Sequence, residues 1–182
     1  MNRLLTIFCT AVLTVSAGVA AETKIECDGG FDKKLAGAPG FFNINAKASA
    51  ESECKLISDP AGGQFLSVKT TAAKSAEFFL FRHIPVTKGK STVKFSLMIK
   101  GKGALTLCNY GYDQAKKYKM YTRLKGKFAN IRINTPEWKK YDFEIDAAHI
   151  GDDVKFIFLA FVVHKNSELS FDNFSGSVVT AE

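Results

Sequence analysis

Apolar and polar side chains alternate with a period of two along much of this chain, the signature of strands that bury one face. Val93, Phe95, Leu97 and Ile99 interleave with Lys94, Ser96, Met98 and Lys100. Leu66 and Val68 alternate with Phe65, Ser67 and Lys69, and Tyr141, Phe143 and Ile145 with Lys140, Asp142 and Glu144. Two runs, Phe78 to Phe81 and Phe156 to Val163, are apolar at consecutive positions. They predict central strands covered on both sides. Turn residues punctuate the runs: Asp28-Gly29-Gly30, Ala38-Pro39-Gly40, Asp59-Pro60-Ala61-Gly62-Gly63, Lys88-Gly89-Lys90, Lys100-Gly101-Lys102-Gly103, Lys125-Gly126-Lys127 and Gly151-Asp152-Asp153. Helical periodicity is almost absent, and the single predicted helix is a short one near Asp113 to Lys117. This rhythm predicts an all-β fold, a two-sheet antiparallel jelly-roll β-sandwich. Residues 93–99, 141–146 and 154–163 are expected to supply much of its core.

The N-terminus departs from this pattern. Arg3 precedes an uncharged apolar run from Leu4 to Val15, and small residues follow to Val19-Ala20-Ala21 before the polar Glu22-Thr23-Lys24. That is the layout of a secretory signal peptide, and its apolar core is shorter than the roughly 20 residues a membrane span requires. Cleavage is expected after Ala21, which leaves residues 22–182 as one domain in the periplasm or outside the cell. No stable membrane insertion is expected after processing. An oxidising destination bears on the three cysteines that remain: Cys27 and Cys54 flank the first loop region and are the expected disulfide pair, with Cys108 reduced. The net charge of +7 comes mainly from lysines scattered over strands and turns. Such a coat blunts sheet edges, and no nucleic-acid partner is expected. It also leaves open an envelope or matrix interaction protein that binds protein or acidic glycan through its basic surface.

Five segments, in order, resemble carbohydrate-binding modules of the family 4, 9 and 22 type. Asp28-Gly29-Gly30-Phe31-Asp32 is similar to their Asn-Gly-x-Phe-Glu opening, and Gln64-Phe65-Leu66-Ser67-Val68 to a glycine-preceded strand. Ile84-Pro85-Val86 through Lys100 resembles their hairpin, Thr135-Pro136-Glu137-Trp138-Lys139-Lys140-Tyr141 their T-x-x-W-x-x-Y segment, and Ser170-Phe171-Asp172-Asn173-Phe174 their closing strand. The resemblance spans nearly all of residues 22–182. It implies the galactose-binding-like jelly roll, a poly- or oligosaccharide partner and no catalysis. It also implies a structural calcium where the first and last strands meet, for which Asp32 and Asp172 are the candidate ligands. The Trp138 position is implied to pack beside the sheet.

A sugar site needs flat rings for C–H faces and a few convergent polar groups for hydroxyls. Asn109-Tyr110-Gly111-Tyr112-Asp113, with Tyr118, Tyr121 and Arg123, concentrates four of the five tyrosines in one stretch. If Leu105 and Leu107 face the core, Thr106, Cys108 and Tyr110 share the opposite face. Tyr110 and Tyr112 are therefore the expected stacking platforms, with Arg82, Asn109 and Arg123 as hydrogen-bonding or anion-pairing groups around them. His83, His149 and His164 are widely separated and read as surface or edge residues. No GxSxG elbow, HExxH or phosphate loop is present. A small jelly-roll polysaccharide lyase, drawing on Tyr112, Arg123 and His164, is the minor enzymatic alternative.

Overall fold

A computed structural model describes residues 20–32, 40–124 and 126–181. The signal-peptide reading therefore lies almost wholly outside the described residues, as do Ala38, Pro39 and Lys125 of two turn readings. The described chain forms eleven strands in one continuous antiparallel ladder system. They are β1 (Ala21–Lys24), β2 (Phe42–Ile44), β3 (Glu53–Ser58), β4 (Gln64–Lys69), β5 (Ala76–Leu80), β6 (Ile84–Pro85), β7 (Ser91–Tyr112), β8 (Tyr118–Arg123), β9 (Ile131–Asp146), β10 (Phe156–Val163) and β11 (Glu168–Thr180). The expected cleavage after Ala21 would remove only the first residue of β1.

The ladder folds back on itself because β7 runs for 22 residues and pairs in both halves of the molecule. Its first half, through Ile99, lies between β11 and the end of β9. Its second half, from Ala104, lies between β10 on one side and β8 with the start of β9 on the other. One layer thus reads β2-β5-β10-β7-β8, and the other β3-β4-β11-β7-β9. Rings from the two layers meet in the space between them: Phe78 of β5 lies 4.8 Å from Phe171 of β11, and Phe95 of β7 lies 5.9 Å from Phe161 of β10. Neither pair is hydrogen-bonded in the ladder, so these contacts mark a two-layer core of the jelly-roll sandwich type. Ring packing continues through Phe42, Phe174 and Phe143.

The change of layer occurs at Gly101 and Gly103, with φ of +120° and +159°. A side chain at Gly101 would overlap the backbone carbonyl of Glu168, and one at Gly103 would strike Ser167. The sequence reads this stretch as a turn between two strands. It is instead a bend within one strand, because glycine tolerates the close approach and the ladder resumes on either side. The expected helix near Asp113 to Lys117 is also absent. Those residues form a tight reversal between β7 and β8, in which Lys116 takes a φ of +60° and its N–H donates to the Asp113 carbonyl at 2.9 Å.

The expected Cys27–Cys54 disulfide is not formed, and Cys27, Cys54 and Cys108 are free thiols. Cys54 sits opposite Val68 in the β3–β4 ladder and hydrogen-bonds the Ser49 side chain. Cys27 lies among Asp28, Glu26, Lys24 and Arg82, where burial and the acidic neighbours push its thiol up to about 11. Different neighbours engage the two thiols.

If Gly101 is the pivot that lets one strand serve both layers, Gly101→Ala should lower unfolding free energy by about 2 kcal/mol or more. Urea denaturation would measure it, and an unchanged midpoint would show that the bend tolerates a Cβ.

Candidate functional site: an aromatic sheet face

Cross-strand register decides which side chains of the first layer face outward. Leu105, Leu107, Leu159 and Phe161 belong to the core between the layers. Thr106, Cys108, Tyr110 and Tyr112 of β7 therefore point to the other side. Their ladder partners Val162, Ala160, Phe158 and Phe156 face the same way, as do Glu77 and Phe79 of β5. On this outer face the rings pack on one another. Phe158 lies 4.5 Å from Tyr112, 5.1 Å from Phe81 and 6.2 Å from Phe79, while Tyr110 sits 4.9 Å from Tyr121. The two doubly apolar runs are now explained. Their second face is covered by this ring cluster, and no further protein layer packs on it among the described residues.

A charged group lies within the aromatic face. Glu77 stands opposite Val162 and is 5% exposed. Burying a carboxylate is costly unless donors surround it. Three do: the Tyr110 hydroxyl and the Asn45 amide (3.0 Å) donate to Oε1, and the Tyr121 hydroxyl donates to Oε2 at 2.9 Å. Burial, followed by the bond to Glu77, raises Tyr110 far above the usual phenol range. Tyr121 is raised as well, by burial and by its contacts with Cys108 and Glu77. Both phenols therefore remain protonated donors. Arg123, across the ladder from Cys108, lies beside the Tyr121 phenolic oxygen and is held above its ordinary value by that contact.

Beside this network is a depression of about 360 Å³ lined by Ile44, Asn45, Ala46, Phe79, Tyr110 and Tyr112. Two polar atoms on the same face are buried without a partner, Asn43 Nδ2 next to Phe79 and His83 Nε2. The His83 ring packs 4.7 Å from Phe158 and 5.1 Å from Tyr112. Burial and the nearby Lys116 depress its pKa, so it stays a neutral imidazole. A larger hollow of about 810 Å³ lies on the other layer, lined by residues including Lys94, Ser96, Glu144 and Ser177. It is a wide groove whose Lys94 and Glu144 oppose each other at 4.0 Å, and no tyrosine or tryptophan lines it. Size alone therefore does not single out the site; the tyrosine lining does.

The structure brings Tyr110, Tyr112 and Arg123 onto one face. Two other expected ligand groups are placed elsewhere. Asn109 pairs with Leu159 and is 1% exposed, so it points into the core, as the two-residue period requires of the neighbour of Tyr110. Arg82 follows β5 at the sandwich edge, where its charge acts on Cys27. Tyr112 and His164, two of the residues drafted for lyase chemistry, are also apart. His164 bonds Thr106, which precedes Tyr112 by about 20 Å along the strand. Trp138 stands on the second layer, 5.5 Å from Phe65, with Lys100 lying over both rings. The sequence reading missed Glu77 and undervalued His83. A carboxylate set flush against the Phe78–Phe81 run is the signal that marked the former.

No protein-family model matches this sequence, and no curated protein matches it in sequence. Solved structures do share its architecture. The CBM22-1 xylan-binding domain from Paenibacillus barcinonensis Xyn10C superposes with a TM-score of 0.52 at 14% identity, over 91% of this chain and 98% of that one. A cyclase from Fischerella sp. TAU superposes with a TM-score of 0.58 at 10% identity, over 89% of this chain and 100% of that one. A complex of the Fischerella cyclase with 4-(1H-indol-3-yl)butan-2-one gives the same score, over 88% and 99%. The chain thus has the jelly-roll fold found in carbohydrate-binding modules and in these cyclases. At such identities the likeness is one of fold.

The network makes opposite demands on the two central tyrosines. Tyr110→Phe removes a donor from a buried carboxylate and should cost about 1–3 kcal/mol of stability. Tyr112→Phe should be near neutral, because the Tyr112 hydroxyl makes no hydrogen bond among the described residues. Equal losses in paired urea titrations would contradict this account of Glu77.

Proposed function

We propose that residues 22–182 form an exported, non-catalytic carbohydrate-binding domain that takes a poly- or oligosaccharide on the outer face of the β2-β5-β10-β7-β8 layer. The observation that carries this reading is the combination on one face of accessible tyrosine rings with partnerless buried donors and acceptors. Ring faces suit the C–H surface of a pyranose, and Asn43 Nδ2 and His83 Nε2 suit its hydroxyls. The fold shared with a xylan-binding domain supports the reading. Tyr112, together with Tyr110 and Tyr118, is the stacking platform. Asn43, Asn45, His83 and Arg123 supply polar contacts.

Tyr112 is the cleaner residue to test, since Tyr110 also holds Glu77. Tyr112→Ala should retain the native fold by circular dichroism and weaken binding of its best glycan about tenfold to thirtyfold, measured by calorimetry after a glycan-array screen. A folded variant that bound as tightly as the parent would remove this face from consideration.

A second reading, a catalytic one, is favoured by Glu77, a carboxylate bonded to two tyrosines on a face whose fold also serves cyclases. Incubation with uronate polymers separates the two. Under the binding reading no unsaturated product accumulates, and sustained product formation would replace it.

Calcium belongs to the same proposal. Phe174 N–H donates to the Gly29 carbonyl at 2.8 Å, which joins the opening loop to β11 near Asp32 and Asp172. Burial, together with the charges of Asp32 and Asp59, raises the Asp172 carboxyl, a repulsion that a cation would relieve. Among the described residues no three His, Cys, Asp or Glu side chains converge closely enough to form a cage. Backbone carbonyls and water would therefore complete any coordination by Asp32 and Asp172. Melting temperature should fall with a chelator and recover with calcium. Identical melting curves in both, with no metal by elemental analysis, would dismiss the ion.

A further inference from the structure

The aromatic face changes character along β7. Towards Tyr112 it is rings; towards Ala104 it is cationic. Arg132 stands directly across the β7–β9 ladder from Ala104, and His164 flanks Ala104 on the other side, its backbone N–H donating to the Ala104 carbonyl at 2.9 Å. Arg123 lies one strand away, across from Cys108. Thr106, between them, joins the two sides. Its Oγ1 accepts the Asn130 N–H at 3.1 Å and lies 2.6 Å from His164 Nε2. Burial and the two arginines depress His164, which agrees with a neutral ring in this position.

Neither Arg123 nor Arg132 makes an ion pair among the described residues, whereas lysines elsewhere on the sheets do, Lys69 with Glu168 and Lys140 with Asp142 among them. A carboxylate whose charge acts on Arg123 is Glu77, whose oxygens already accept from two tyrosines and an asparagine. Two guanidinium groups without ion-pair partners among the described residues thus share the end of a face about 20 Å long, measured along β7 from Thr106 to Tyr112. A guanidinium presents a planar fork that matches a planar carboxylate.

We infer that the Thr106 end of this face is a subsite for the carboxylate of a uronic acid unit, held by Arg132 and Arg123, while neutral sugar rings of the same chain lie against the tyrosines. The inference rests on the carbohydrate-binding reading and narrows it to acidic glycans. It differs from attraction by the general lysine coat, because it assigns the preference to two arginines on one face.

Calorimetry with matched probes tests it: oligogalacturonates and glucuronoxylan oligomers, each beside its own carboxyl-reduced, neutral counterpart. The parent should bind the acidic member of a pair about tenfold more tightly, and Arg132→Gln should erase that preference without weakening the neutral member. Lys140→Gln, which removes equal charge from the opposite layer, should change neither. Raising salt from roughly 50 to 500 mM should weaken the acidic member selectively. Equal affinity for acidic and neutral members would overturn the subsite and leave carbohydrate binding standing. A Lys140→Gln loss as large as that of Arg132→Gln would also overturn it, in favour of the general field. No binding of any probe by the folded parent would overturn both the subsite and the reading on which it rests.

Discussion

One strand pairs in both layers, and the rest of the structure follows from that constraint. β7 brings β11 and the end of β9 to its first half, and β8, β10 and the start of β9 to its second, so a local bend at Gly101 and Gly103 sets how the layers face each other. The phenylalanines then fill the space that the bend creates, with Phe78 and Phe161 from one side meeting Phe171 and Phe95 from the other. Because side chains alternate along a strand, the register that buries Leu105 and Leu107 also turns Thr106, Cys108, Tyr110 and Tyr112 outward. The candidate site is therefore the reverse side of the core.

This coupling explains why the outer face tolerates a buried carboxylate. The cost of removing Glu77 from water is offset only when its donors are held in place, and each donor comes from a different strand or loop: Tyr110 from β7, Tyr121 from β8, Asn45 after β2. The network ties the edge of the layer to its centre and fixes the tilt of the tyrosine rings. A face with preset ring geometry loses less entropy on meeting a rigid ligand. Its charge is also graded, from rings at the Tyr112 end to arginines at the Thr106 end.

Much of this was legible in the sequence, for identifiable reasons. The alternation at Val93–Ile99 and 141–145 placed real strands, and the parity of Leu105 and Leu107 placed Tyr110 on the outer face. The same parity rule puts Asn109 inside, which its proximity to the tyrosines obscured. Gly101 and Gly103 read as a turn because positive φ is the common property of turns and of strand bends, and only long-range pairing distinguishes the two. The consecutive apolar runs in β5 and β10 read as strands covered on both sides, whereas their second face carries the ring cluster of the candidate site. Glu77 and Arg132 acquire meaning only from partners that are 32 and more residues distant in sequence or from a ladder register, as with Asn45 and Ala104. Local pattern does not encode either.

The central claim is that the outer face of the β2-β5-β10-β7-β8 layer meets a glycan. Amide chemical-shift mapping of the folded domain during titration with a glycan selected from an array tests it most directly. The account predicts perturbations concentrated at Asn43, Asn45, Phe79, His83, Tyr110, Tyr112 and Tyr121, with Lys94, Ser96 and Trp138 on the opposite layer unmoved. Perturbations clustered on that opposite layer, or spread evenly over the lysine-bearing surface, would contradict it.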